Sequence, residues 1–550
     1  MSGKSRYLIP VILGLVWLVA WNIVSRRHRD IPLQHDWRTF LWADQAGYFV
    51  YLPAHFIYDW DARNMPADID AGTGLGFKTD RNSGKILTKY PIGSAWMQSP
   101  FFLVAHAWVL VTGAEASGFS SPYIISVMIA GITWGCAGLF WLWGFLRRKV
   151  GEGIALVTTI SFWLGGGIIY YQSENAGMSH IYAFALFALL LNFLDRHSFF
   201  RPRNAVFAGV LIGLIFLVRP TGLIGVGGIL LWVLVDQRVS VSELLKKPLW
   251  MIFICVSAFL VLLPQMAYWR YAHGSWLSYA YGNESFSNWM HPEWVKFLFS
   301  TNNGLFPYGP VWFMVVLSLI WGSLKGNFSA RLGLGLFIGI TYLFSSWHIW
   351  FFGCGFGSRN FVEYSVLFAL PFAQGLDVIW AHRRLWSKAC LIAVLSLCCL
   401  VSLKLFHSYT KCFFGKDDWD WREYGYLLTR HVETFKNSAP IGISSGQEYV
   451  QLFRIQQKDK TMTYFREMKA ELKWGKGQNS CDNLKLVLKS ENGTDDPFYA
   501  EQVLCDEKGL KGDAYFGMWP QRSDSVSWVI YLWNPGGDEL VLNDISLSFR

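Results

Sequence analysis

Residues 42–54, Trp-Ala-Asp-Gln-Ala-Gly-Tyr-Phe-Val-Tyr-Leu-Pro-Ala, set one carboxylate, Asp44, among aromatic and apolar neighbours just after the first apolar run of the chain. Read as a helix, spacings of four and three put Asp44, Tyr48 and Tyr51 on one face, so the acid looks away from lipid. A carboxylate held there can accept a proton at a membrane surface. Further groups of this kind recur at the ends of later apolar runs. They are Lys89 in Lys89-Tyr90-Pro91-Ile92-Gly93, Glu174 and His180 in the stretch 170–180, Arg219 before Pro220, and His348, Arg359 and Glu363 in the stretch 347–363. Cations at an interface bind phosphate while a carboxylate handles a proton on a transferred group, so the set suits a phosphate-bearing lipid.

Each residue also has a plainer role. Asp44 fits the N-terminus of an ordinary helix, where the macrodipole favours an acid. Arg219 fits a side chain that snorkels to headgroups. Arg359 and Glu363, four apart, fit a local helix pair. Glu174 fits a cap for the following helix, Lys89 an interfacial anchor, and His180 and His348 interfacial hydrogen-bonding residues. The recurrence of all of them on one expected membrane face favours the chemical role.

What must position these groups is set by composition. The 550 residues are 53% hydrophobic and only 16% charged, with 29 Trp, 24 Tyr and 42 Phe. That is the balance of a mainly α-helical, polytopic membrane protein with aromatic belts. A first apolar run spans 7–24, with no small-residue cleavage site after it, so it reads as an anchor and not a cleaved signal. Others lie near 92–112, 123–146, 154–171, 179–194, 205–218, 223–235, 249–269, 306–321, 332–347, 361–380 and 389–406. The formal charge of +9 sits largely in short basic loops at 147–149, 196–203, 238–247, 325–331 and 383–388. Such loops are retained in the cytoplasm, so the charge reports topology and not a nucleic-acid partner. Placing them all inside gives about 11 spans, a cytoplasmic N-terminus, 92–112 partly in the interface, and a first outer loop at 25–91. Twelve spans with Asp44 cytoplasmic is the alternative.

Beyond residue 406 the apolar runs stop. A linker is expected at 407–439, and alternating runs at 484–488, 526–532 and 539–549 between Asn492-Gly493 and Pro535-Gly536-Gly537 predict an extracytoplasmic β-sandwich or jelly roll over 440–550. In an oxidising compartment its two cysteines, Cys481 and Cys505, are able to pair, and the other seven are expected to be packing residues. Trp519, Trp528 and Trp533 would be core residues or sugar-stacking platforms. No metal-ligand spacing of Cys and His stands out.

The early Ala43-Asp44-Gln45-Ala46-Gly47-Tyr48, with 89–93, Arg219-Pro220 and 357–363, resembles the GT-C-type membrane glycosyltransferases of bacteria, relatives of the protein O-mannosyltransferases and aminoarabinose transferases. The resemblance covers residues 1–406. It implies an inverting transfer of a sugar from a polyprenyl-phosphate-linked donor to a glycan, lipid or protein acceptor at the outer face of the plasma (inner) membrane. Asp44 would be the general base. Lys89, with Arg219 or Arg359, would meet the lipid phosphate, and Tyr48, His180 and His348 would line the site. Many relatives carry a second acid directly after the Asp. Gln45 stands here instead, so Glu174 or Asp36 would have to supply a second catalytic carboxylate, and a divalent metal is the one cofactor the resemblance leaves room for. Two other classes compete. A transporter or flippase of lipid-linked glycans would bury charges mid-span and repeat internally, and a scaffold displaying the sandwich would need no polar cluster.

Overall fold

A computed structural model of the chain describes residues 5–27, 41–239, 243, 246, 248–282, 284–381, 384–409, 412–413, 417–429, 432–456, 467–475, 483–491, 498–506, 509–518, 526–537 and 539–549. Asp36, Cys481, Trp519 and the Asn492-Gly493 turn lie outside the described residues. The chain divides into two compact units, residues 1–406 and 407–550.

The apolar runs of the first unit fold as helices, the one local arrangement in which each backbone N–H and C=O finds its partner within its own segment in hydrocarbon. Five described helices are long and apolar enough to cross a membrane: Ser121–Lys149, Leu249–His273, Phe328–Ser345, Phe361–Ala381 and Leu385–Ser408. Shorter apolar helices accompany them at Ile12–Arg26, Glu152–Gly165, Pro202–Val218, Pro220–Asp236 and Val311–Leu324. Segment 92–112 becomes the 20-residue helix Gly93–Thr112. The run read as one segment at 154–171 is two helices, Glu152–Gly165 and Ile168–Ser173, because Gly165-Gly166-Gly167 intervenes with Gly167 at φ +89°.

Helix Ser179–Arg196 shows how the two ends of this unit differ. Its C-terminal end carries Asp195, which Arg148 and Lys149 approach to 2.7 and 2.8 Å, and Lys149 also meets Asp236 at 2.9 Å. Its N-terminal end carries Ser179 and His180. At a rise of about 1.5 Å per residue the two ends are roughly 27 Å apart, near the thickness of a bilayer core.

The first loop is described over residues 41–91. It holds the short helices Asp44–Phe49 and Tyr51–Phe56, a 3-10 turn at Ala62–Asn64, the helix Ile69–Gly72 and a hairpin of β1 (Lys78–Asp80) and β2 (Lys85–Leu87). Pro53 has no N–H to give, which interrupts the hydrogen-bond ladder between the first two helices. Tyr48 and Tyr51 are buried, whereas Asp44 is partly exposed.

The second unit has two antiparallel sheets. One is ordered β11 (Asp513–Gly517), β6 (Glu467–Trp474), β13 (Leu540–Phe549), β3 (Glu433–Asn437), with β4 (Ile441–Ile443) also on β13. The other is ordered β5 (Tyr449–Gln456), β12 (Ser527–Trp533), β7 (Lys485–Glu491), β8 (Tyr499–Val503). A small pair, β9 (Cys505–Asp506) and β10 (Gly509–Leu510), lies beside them. Alternation sorts the side chains: Leu486, Leu488, Ile530 and Leu532 face a common core with Leu542, Ile545 and Leu547.

Two expectations change here, for the linker and for two cysteines, and the two readings left open for the tryptophans are separated. The stretch 407–439 is not a bare linker, since it holds helix Trp421–Thr429 and strand β3, whose side chains alternate between half-buried and exposed and which pairs with the last strand. Trp528 is core, 1% exposed, because it points inward on β12, whereas Trp533 is partly exposed and stacks on Tyr449. Cys354 and Cys412, expected to pack in apolar surroundings, are disulfide-bonded, as is Cys505, and both of the former lie outside the helices. Cys136, Cys255, Cys390, Cys398 and Cys399 are free.

Candidate active site

Asp44 is the first residue of its helix, and the residue before it is strained. Ala43 sits at φ 48°, ψ −123°, a conformation that a Cβ disfavours. The surroundings impose it: the Ala43 N–H donates to the Thr73 carbonyl at 2.8 Å, and its own carbonyl accepts from Gly47 at 3.0 Å. Glycine tolerates these angles at some entropic cost in the unfolded chain. Ala43→Gly is therefore expected to stabilise the chain by up to about 1 kcal/mol. Thermal unfolding of the purified protein checks this, and a variant less stable than the parent would show that the strain is not there.

The Asp44 side chain, 36% exposed, has two partners. Tyr90 Oη donates to Oδ1 at 2.5 Å and Arg359 Nη2 lies 3.4 Å from Oδ2. Burial, and then the neighbouring carboxylate, push the Tyr90 hydroxyl well above the ordinary tyrosine range, so it stays protonated and remains a donor. Tyr48 packs its ring 4.4 Å from that of Tyr90, and its Oη accepts from Ser179 Oγ at 3.1 Å. Burial pushes the Tyr48 hydroxyl up as well.

Behind Asp44 lies a second, deeper cluster. Arg219 ends helix Pro202–Val218 and spends its guanidinium on protein. Nη2 donates to Asn360 Oδ1 at 2.7 Å, and Nη1 donates to Ser179 Oγ at 3.2 Å and to His180 Nε2 at 3.3 Å. Nε lies 2.8 Å from Glu363 Oε1, a charge pair without an aligned hydrogen bond. Because His180 Nε2 faces a guanidinium that has only donors, the ring proton belongs on Nδ1, which donates to Glu363 Oε2 at 2.9 Å. His180 is thus a neutral bridge between the buried Glu363 and Arg219, whose side chain is 15% exposed.

Lys89, next to Tyr90, meets Glu284 Oε1 at 2.5 Å and lies 5.5 and 5.6 Å from the ring centroids of Tyr90 and Tyr281. The structure thus brings Asp44, Tyr48, Lys89, His180, Arg219 and Arg359 into one neighbourhood, where helices Gly93–Thr112, Ser179–Arg196 and Phe361–Ala381 begin and helix Pro202–Val218 ends. Arg359 and Glu363 are not a local pair, because Arg359 precedes the helix start at Phe361 and its guanidinium turns to Asp44 instead. Glu174 is 4% exposed and follows the short helix Ile168–Ser173, and it does not cap the next helix, whose N-cap residue is Met178. The His348 N–H donates to the Ser285 carbonyl at 3.1 Å and its ring packs on Trp347. Glu284 and Tyr90 were not singled out from sequence, and only their charge and their place beside Lys89 would have signalled them.

The described residues do not assemble a metal-ligand set: no group of three or more His, Cys, Asp or Glu is placed to hold an ion. One Asp44 oxygen faces a guanidinium. Gln45 is committed elsewhere, its Oε1 accepting from Gly177 N at 3.0 Å and its Nε2 donating to Asn175 Oδ1 at 3.1 Å.

Three solved structures are similar to this chain at low sequence identity. ArnT from Cupriavidus metallidurans in the apo state is 14% identical, with 74% of this chain and 68% of that one covered at a TM-score of 0.43. The Archaeoglobus fulgidus oligosaccharyltransferase in its apo form is 12% identical, with 78% and 61% covered at 0.44. AglB from Archaeoglobus fulgidus, in complex with an inhibitory peptide and a dolichol-phosphate, is 13% identical, with 78% and 60% covered at 0.45. This chain therefore spans about 60% of the two archaeal proteins. At TM-scores under 0.5 the likeness gives no residue-by-residue correspondence. The sequence matches no protein-family model and no curated protein.

Proposed function

We propose that this protein transfers a sugar from a polyprenyl-phosphate-linked donor to a hydroxyl-bearing glycan, lipid or protein at the extracytoplasmic face of a bacterial plasma membrane. The observation that carries this reading is the partly exposed Asp44 carboxylate, 3.4 Å from Arg359 and joined through Tyr90 to the neighbourhood of Lys89. An acid and two cations that differ in solvent access match a reaction that moves a proton at one atom and sheds a phosphate at another.

In this mechanism Asp44 takes the acceptor O–H proton as that oxygen forms its bond to the anomeric carbon. The bond from that carbon to the phosphate oxygen breaks on the opposite side, which inverts the centre. Lys89 and Arg359 receive the charge that develops on the leaving phosphate. Arg219 holds the frame: all of its described contacts go to Ser179, His180, Asn360 and Glu363. These buried charges lie at helix ends and not mid-helix, which favours a fixed site over a conduction path.

Two features support an outer location. The site and the basic loop 147–149 lie at opposite ends of helix Ser179–Arg196, and basic loops are retained inside. Cys354, five residues before Arg359, is disulfide-bonded, as an oxidising compartment allows. A single cysteine at exposed Asn82, on the β1–β2 hairpin and in a background freed of native cysteines, is expected to react with a membrane-impermeant thiol reagent in intact cells. Reaction only after the membrane is opened would put the site in the cytoplasm and end the proposal.

A further inference from the structure

Building on that reading of Lys89, we infer that Glu284 stands in for the donor's phosphate on Lys89 when the site is empty, and that donor binding requires its displacement. Glu284 reaches Lys89 from 195 residues away, on the segment 274–293, whose described residues form neither helix nor strand. The two side chains are 33% and 37% exposed, so an incoming anion has access to the pair. Lys89 does not depend on Glu284 to stay in place, because the rings of Tyr90 and Tyr281 flank its ammonium. An ammonium is a compact charge without the fixed fork of a guanidinium, so a phosphate oxygen replaces a carboxylate oxygen on it without re-aiming the side chain.

The displaced acid belongs to a segment tied to the rest of the site. Tyr279 Oη donates to the Glu284 carbonyl at 2.5 Å, Asn288 N donates to the Ser346 carbonyl at 3.0 Å, and Phe286 packs its ring 4.8 Å from that of Trp347. These bonds keep the carboxylate near Lys89 after it is released, so it returns once the phosphate leaves. A lipid with an uncharged headgroup offers nothing to exchange with it. Glu284 therefore sets the affinity for the phosphate alone, and binding of an uncharged polyprenol gains nothing from its removal.

The test is binding of a polyprenyl monophosphate to the purified full chain in lipid vesicles, read by intrinsic tryptophan fluorescence, with the free polyprenol and inorganic phosphate as separate arms. Glu284→Gln is expected to tighten polyprenyl phosphate binding about two- to fivefold, the range of a partly exposed ion pair, and to do nothing on a Lys89→Met background. Weaker or unchanged binding in Glu284→Gln, with Lys89→Met still costing affinity, would overturn the stand-in role. Unchanged binding in Lys89→Met would instead bring down the reading of Lys89 itself. Equal tightening toward inorganic phosphate would assign the exchange to the anion alone, whereas tightening toward the free polyprenol would overturn the stand-in role.

Discussion

Asp44→Asn is expected to lower sugar transfer by about 10²–10⁴-fold, the usual contribution of a positioned general base. The substitution keeps the shape of the side chain and an oxygen to accept from Tyr90, so the frame around it survives. What is lost is the ability to take a proton. The measurement is the initial rate of polyprenyl phosphate release from a panel of polyprenyl-phosphate sugars, at matched protein amounts and with the unfolding temperature recorded beside it. A rate within a factor of about ten of the parent would remove Asp44 from the mechanism. A large fall in unfolding temperature would assign the loss to folding.

The second large effect concerns stability. Glu363→Leu leaves Arg219 and His180 without their buried carboxylate, in a triad where the Glu363 and His180 side chains are 1% and 0% exposed. Removing one partner of a buried pair costs about 3–5 kcal/mol, because the remaining charge is stranded away from water. Replacing both, as in Arg219→Leu with Glu363→Leu, is expected to recover much of that loss. Thermal unfolding of the three variants beside the parent gives the answer. A single variant as stable as the parent would mean that the triad contributes nothing, and a double variant below both singles would mean that Arg219 holds the fold through other contacts.

Much of the architecture was legible because it is local. A run of apolar residues long enough for a bilayer needs no distant information to become a helix, and the alternation in 526–532 and 539–549 marks strands by itself. Asp44 and Lys89 stood out because charged groups beside apolar runs are rare. Their partners were another matter. Arg359 meets Asp44 across 315 residues, Lys89 meets Glu284 across 195, and His180 meets Glu363 across 183. Nothing in the local pattern of 357–363 distinguishes an arginine that pairs four residues on from one that pairs across the bundle, so the local pair at Arg359 and Glu363 stood beside the chemical role as an equal alternative, and it did not form. Arg219 shows the same limit: Arg-Pro at a helix end looks like a snorkelling side chain, and only the convergence of Ser179, Asn360 and Glu363 makes it a buried hub. Strand β3 was missed because Phe435 is its one apolar residue, so no alternation marks it, and its pairing partner lies at the far end of the chain.

The helix that follows Lys89 begins at Gly93, and a methyl group there would lie 2.4 Å from the Leu217 carbonyl carbon, two residues before Arg219. Main chain rests on main chain at that point, with no side chain between to yield. The backbone at Gly93, which follows Lys89, is therefore seated directly on the backbone that leads into Arg219, and any side chain at position 93 would push the two apart. Under the proposed sugar transfer, a change of donor preference is to be sought by grafting the stretch between helices Leu249–His273 and Trp294–Phe299, which carries Tyr281 and Glu284 beside Lys89.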